Sequence, residues 1–299
     1  MSFRSTKFNQ IPTSNGFNQP QFQQQQQSSE SPLQKFEKFS SQIEDLLDHP
    51  LISKLKPYVP QIGRFLIVAT FYEDSLRILS QWSDQIYYLW NYRHIPYFLV
   101  LILLTLVVVV MLGASTLIVL RKHSLYASGA LIFVILLQGF MYGLFSGSTF
   151  ILRNFSLIGG LLIAFSDTLV QQKTRFAGLP EISSNNEFKS YILLAGRILL
   201  VLLFFTFILT KSWFTTFFIL IGIGSIGAGY KTKFASIILI TILTFYNFTS
   251  NSYWSSSSEA QRDYLKYEFF QTLSIIGGLL LVVNTGAGEY SIDEKKKIY

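Results

Sequence analysis

No cysteine occurs among the 299 residues, which excludes disulfides, thiol catalysis and cysteine-based metal sites. Histidine is nearly as scarce. His49, His94 and His123 lie far apart with no metal-ligand spacing, so neither a metal nor a cofactor is expected. Charge is thin as well: 14% of residues are Asp, Glu, Lys or Arg, against 50% apolar. A soluble chain needs a charged surface that this one lacks. A net charge of +7 could point to nucleic acid, but in a membrane protein Lys and Arg collect in cytosolic loops, and no nucleic-acid partner is expected. The first thirty residues, rich in Gln, Asn and Ser, offer no apolar h-region for a cleaved signal peptide. The first span is therefore expected to act as the insertion signal.

What is present is a series of long apolar runs. Tyr97 to Leu120 alone exceeds the roughly 20 residues that cross a hydrocarbon core of about 30 Å. The chain reads as an all-α polytopic membrane protein with about eight transmembrane helices, embedded among membrane lipids. Expected spans are 61–81, 96–120, 124–146, 148–170, 191–210, 213–230, 234–250 and 267–286. Residues 1–30 read as a disordered, Gln-rich cytosolic N-terminus. A short cytosolic amphipathic helix follows in 31–60, opened by Ser31, Pro32 and Gln34. A linker, 171–190, separates two membrane segments, 61–170 and 191–288, and 289–299 is the tail.

Two independent signals orient the expected spans. Most basic residues, among them Arg121, Lys122, Lys231 and Lys233, fall on the side of the tail, while the opposite loops hold few. That asymmetry puts both termini in the cytosol. Trp82, Trp90, Trp213 and Trp254 then share the opposite interface, as an aromatic belt does.

The two membrane segments also look alike. Gly63-Arg64 recurs as Gly196-Arg197, Tyr126-Ala127-Ser128 as Phe234-Ala235-Ser236, and Ser156 to Leu162 as Ser274 to Leu280. The order is the same each time. The unit is four helices, an even number, so the two repeats run parallel about an axis along the membrane normal. Gly222, Gly224 and Gly227 mimic a dinucleotide fingerprint, but they follow no strand. They read instead as small residues at a helix contact. Asn154-Phe-Ser156 and Asn247-Phe-Thr249 are glycosylation sequons in form; one lies inside a span and one too near the membrane to be used.

Charges inside expected spans are the sharper signal, because each costs several kcal/mol if it faces lipid. Arg64 and Arg197 occupy equivalent places in the two repeats, which favours a structural role, and Asp167 is a partner for either. Glu73, Asp74 and Arg77 lie further along the first span, and Arg153 enters the fourth from the same side. The position equivalent to Arg153 is Gln271, so this charged set belongs to the first repeat only. Structural ion pairing and a lumen-facing binding pocket both account for it. In the tail, Lys296 and Lys297 form a dilysine K-K-x-x pattern that the retrograde vesicle coat, COPI, reads on a cytosolic tail.

Several of these stretches resemble the Surfeit locus protein 4 family. They are Arg153-Asn154 with Gly159 to Leu162, Phe176 to Pro180, Gly196-Arg197, Lys231-Thr232-Lys233, and above all Phe269 to Val283 followed by Asp293 to Lys297. The resemblance runs from about residue 33 onward; the Gln-rich start departs from it and reads as a fungal-type addition. It implies a non-enzymatic receptor of the endoplasmic reticulum membrane. Such a receptor binds soluble secretory cargo in the lumen through short apolar export signals and enters vesicles made by the COPII coat. It returns from the Golgi through its tail. On this reading Glu73, Asp74, Arg77 and Arg153 are the cargo-binding residues, and self-association is left open. A lipid or ion transporter would also use buried charges and repeats. A membrane oxidoreductase is disfavoured by the missing cysteine and the scattered histidines.

Overall fold

The computed structural model describes residues 56–175, 184–202, 213–286 and 288–293, with the single positions Lys38, Lys54 and Phe204. All except Lys38 belong to the unit Phe39–Tyr299. The Gln-rich start, most of the expected 31–60 helix, the middle of the linker, and Lys296 and Lys297 lie outside the described residues.

Among the described residues every regular element is helical. The α-helices are α1 (Val59–Ser80), α2 (Trp82–Tyr87), α3 (Tyr97–Val119), α4 (Ser124–Tyr142), α5 (Ser148–Arg175), α6 (Ser184–Val201), α7 (Trp213–Ala228), α8 (Thr232–Ser250) and α9 (Glu259–Thr285). A π-helical turn, Tyr88–Tyr92, follows α2. Helices thus overlap all eight places where a span is expected. Five of them, α3, α4, α5, α8 and α9, are long and apolar enough to cross a membrane. Helix α1 falls short because it carries Arg64, Glu73, Asp74 and Arg77. Helix α7 is only 16 residues long, and the described part of α6 stops at Val201. The structure therefore yields a polytopic all-helical membrane protein with five qualifying helices.

Pro60 stands in the first turn of α1, where its missing N–H is not needed. Pro96, extended, caps α3. The sharp turns into α4 and α8 place His123 and Lys231 in the left-handed region, with φ of 49° and 48°. Along α3, Leu99, Ile102, Leu106 and Val109 form an exposed apolar stripe, and Phe133, Leu136 and Phe140 do the same on α4. Such stripes suit lipid, not water.

The centre is built on small residues. Helix α1 packs most widely against α9, and α5 against α6; α9 also touches α5. At Gly277 of α9 a Cβ would lie 2.6 Å from the Gly63 carbonyl oxygen of α1. At Gly159 of α5 it would lie 2.5 Å from the Leu200 nitrogen of α6. Only hydrogen fits, so the backbones meet. Next to these contacts, Ser274 Oγ donates to Leu66 O at 3.0 Å and Ser156 Oγ to Leu199 O at 3.1 Å. Between the two pairs, a Cβ on Gly278 would sit 3.2 Å from Gly160 Cα.

One sequence expectation is corrected here. Gly222 does contact a neighbouring helix, with a Cβ 2.8 Å from the Leu239 side chain, but Gly224 and Gly227 have no described neighbour within 4 Å. Among the described residues their side of α7 meets no neighbour, since glycines at spacings of two and three cannot all point the same way.

The packing sets a test. Gly159→Leu and Gly277→Leu each drive a side chain into backbone that cannot yield, and cost at least about 1–3 kcal/mol. Both are expected to lower the thermal midpoint in detergent, or to abolish monodisperse protein. Gly224→Ala should leave the midpoint equal or slightly raised, since glycine in a helix costs about 1 kcal/mol against alanine. Equal midpoints for all three would contradict the glycine-faced centre.

Candidate functional site

Helix α1 continues unbroken from Arg64 to Arg77. Its charges therefore fall at two depths, about 13–20 Å apart at 1.5 Å per residue. The antiparallel α9 meets it along the whole distance: Gly277 lies at Gly63, and Ser274 at Leu66 and Thr70. At the far end Lys266 Nζ stands 3.6 Å from Glu73 Oε1. Glu73 is 3% exposed, and neither of its carboxylate oxygens accepts a hydrogen bond from a described residue. One helix over, Arg153 of α5 makes a 2.8 Å ion pair with Glu268 of α9.

Beside these pairs the helices part around a cavity of about 650 Å³. Asp74 and Arg77 line it from α1, 2.5 Å apart, with the guanidinium carbon 5.5 Å from the centre of the Tyr267 ring. From α2 and the π-helical turn come Asp84, Gln85 and Tyr88; Tyr142, Asn154 and Gln271 add α4, α5 and α9. The Tyr142 hydroxyl donates to Gln85 Oε1 at 2.6 Å, and its ring stacks on Tyr88 at 5.9 Å. Gln81 Nε2 donates to Asp263 Oδ2 at 2.6 Å, tying the start of α2 to α9. The remaining walls are mostly apolar, among them Phe71, Ile135 and Leu157, with Thr70 and Gln138 as polar exceptions. A mostly apolar cleft with a few convergent polar groups is the usual form of a ligand site. Two carboxylates, Asp74 and Asp84, face one guanidinium, so the lining favours a cation over an anion.

The four expected binding residues are thus divided. Asp74 and Arg77 line the cavity, whereas Glu73 and Arg153 are engaged by Lys266 and Glu268 of α9. This corrects the expectation that the charged set belongs to the first repeat only. Helix α9 begins at Glu259, eight residues before the expected span at 267, and that adds Asp263 and Lys266 to a helix that already holds Glu268. Their spacing along one helix, with Tyr264, Tyr267 and Gln271, was the signal available in the sequence.

Nearer the tail the other two arginines are fully buried. Arg64 pairs with Asp167 of α5. Arg197 has no carboxylate within ion-pair distance among the described residues; Nη1 donates to Ile226 O at 3.4 Å and Nη2 to Tyr290 O at 3.0 Å. The two arginines have therefore taken different partners, one a carboxylate and the other two backbone carbonyls. Both sequon asparagines spend their amide within the fold: Asn247 Nδ2 donates to Phe269 O and Asn154 Nδ2 to Phe150 O. No group of three described His, Asp or Glu side chains is placed to hold a metal.

Fold and cavity define a polytopic helical membrane protein with an internal, charge-lined cleft. The SURF4 family model matches residues 37–299, and the chain belongs to that family. It is 59% identical over 285 residues to the ER-derived vesicles protein ERV29 of Saccharomyces cerevisiae, covering 93% of this chain and 92% of that one. It is 47% identical to a Surfeit locus protein 4 homolog of Schizosaccharomyces pombe, over 81% of this chain and 83% of the relative. A Drosophila melanogaster homolog shares 36% identity over 87% and 97%. No solved structure matches the chain.

The buried pair gives a second test. Asp167→Ala strands a guanidinium that is fully buried, and breaking such a pair costs about 3–5 kcal/mol. The expected result is a sharp fall in detergent midpoint, largely recovered when Arg64→Met is added. If the double variant is no more stable than the single one, the Arg64–Asp167 pair is not what Asp167 contributes.

Proposed function

We propose that the protein is a cargo receptor of the endoplasmic reticulum membrane that performs no chemistry of its own. Its cleft would bind soluble secretory proteins in the lumen, the COPII coat would carry it out, and the COPI coat would return it through Lys296 and Lys297. The observation that carries this reading is the cavity of about 650 Å³ with Asp74 and Arg77 in its wall. It lies along the start of α9, about 21 Å from the tail end of that helix at 1.5 Å per residue. With the tail in the cytosol, such a cleft opens toward the lumen. The name of the yeast relative, which places that protein in vesicles derived from the endoplasmic reticulum, supports the same reading.

Eight spans in two parallel four-helix repeats are part of the proposal. Its support is the exchange of equivalent contacts: Gly63 with Gly277 and Gly196 with Gly159, each accompanied by its serine hydrogen bond. The left-handed turn residues His123 and Lys231, at equivalent places, add to it. An axis between Gly160 and Gly278 would relate the halves.

In this account Asp74 accepts an amine or backbone N–H of the cargo, since a carboxylate paired on one oxygen keeps lone pairs on the other. Arg77 holds it in place, and the cavity's tyrosines and aliphatic walls take apolar side chains. Glu73 and Arg153 act one step away, by fixing α9 against α1 and α5. Asp74→Asn is expected to cut packaging of soluble cargo in an in-vitro budding assay about ten-fold or more, with the receptor itself still packaged. Normal cargo yield from Asp74→Asn would refute the assignment.

A further inference from the structure

After α9 the chain turns back onto the ends of its neighbours. Glu289 Oε2 accepts from Ser190 Oγ of α6 at 3.0 Å. The Tyr290 ring stacks on Tyr191 with centroids 4.9 Å apart, and its carbonyl takes the Arg197 Nη2 bond. Ser291, 4% exposed, fills the space over Gly229, where a Cβ would come within 2.4 Å of it. Asp293 then closes the loop. Its carboxylate accepts from the Lys231 and Thr232 amides at 2.7 and 3.1 Å and from Thr232 Oγ1 at 3.0 Å. Its own N–H donates to Gly229 O at 2.9 Å. The carboxylate so placed caps the N-terminus of α8, a favourable seat for negative charge.

Residues 288–293 are thus strapped to α6, α7 and α8, and the strap decides how far the dilysine pair can reach. Lys296 is three residues beyond Asp293, so the chain length allows it a reach of at most about 11 Å from the α8 cap at 3.6 Å per residue. The headgroup layer alone is about 5–8 Å deep. A domain of even 100 residues has a radius of gyration of about 13 Å. With the start of α8 at the cytosolic end of its span, a coat subunit reading Lys296 and Lys297 over so short a leash would have to press into the headgroups. If the strap lifts, the anchor retreats to Thr285, eleven residues away, and the reach grows to about 40 Å.

We infer that the docked segment Gly288–Asp293 is an autoinhibitory strap on the retrieval signal: held down it withholds Lys296 and Lys297 from the COPI coat, and released it presents them. The inference rests on the retrieval reading proposed above. Arg197 links it to the bundle, because the same guanidinium holds the last turn of α7 at Ile226 and the strap at Tyr290.

The test uses the full chain in lipid nanodiscs, titrated with purified COPI coat. Tyr290→Ala with Asp293→Ala is expected to bind about ten-fold more tightly than the unaltered protein. Tyr290→Ala alone, which leaves the α8 cap intact, should fall between them. A synthetic peptide of residues 288–299 on the same surface is the fully released reference and needs no folding. Equal affinities for the unaltered protein, both variants and the peptide, or weaker binding by the variants, overturn the strap. Lys296→Ser with Lys297→Ser should abolish binding in every form; coat binding that ignores this change overturns the retrieval reading instead.

Discussion

Backbone contact between α1 and α9 at Gly63 and Gly277 brings a helix with four charged residues against one that answers them. In hydrocarbon each of those charges needs a partner inside the protein. The close approach supplies Lys266 to Glu73, and the flanking contact of α9 with α5 supplies Glu268 to Arg153. Asp167 does the same for Arg64 from α5. A larger residue at the crossing would push the helices apart and separate those partners together. The polar interior and the apolar exterior are two consequences of one constraint.

That constraint also places the cleft. Toward the tail, the glycines let α1, α5, α6 and α9 meet at backbone distance, and no room is left. Toward the other end α5 and α9 carry Phe150, Tyr264 and Tyr267 in place of glycine and α4 adds Tyr142, and the bulk holds the helices apart. Helix α2 and the π-helical turn contribute one wall, tied down through Gln81 and Gln85. A tight end and a loose end thus follow from where the small and the large residues stand.

Much of this was legible in the sequence. Helix positions followed from apolar runs, and the Gly-Arg and Ser-to-Leu matches pointed to Gly63, Gly159, Gly196 and Gly277 as corresponding places. Arg64 and Arg197 were readable as buried, and Asp167 as a partner. The role of α9 was not. An expected span that opens at 267 leaves Lys266 outside it, because hydropathy ends a span near its first charges, whereas the helix runs on wherever partners exist across the bundle. Helix α7 erred in the other direction, since three glycines in a helix look like a contact face although among the described residues only Gly222 makes one. The docking of Tyr290 and Asp293 rests on a left-handed turn at Lys231 and on space over Gly229. These are three-dimensional facts with no linear pattern.

The central claim is that the cleft receives protein. Its most direct measurement is site-specific photo-cross-linking, with a photoreactive residue in place of Gln138, a position in the cavity wall, followed by mass spectrometry of the adducts. The account predicts adducts with soluble secretory proteins that disappear when Asp74→Asn is added. Adducts with lipid alone, or protein adducts indifferent to Asp74, would contradict it.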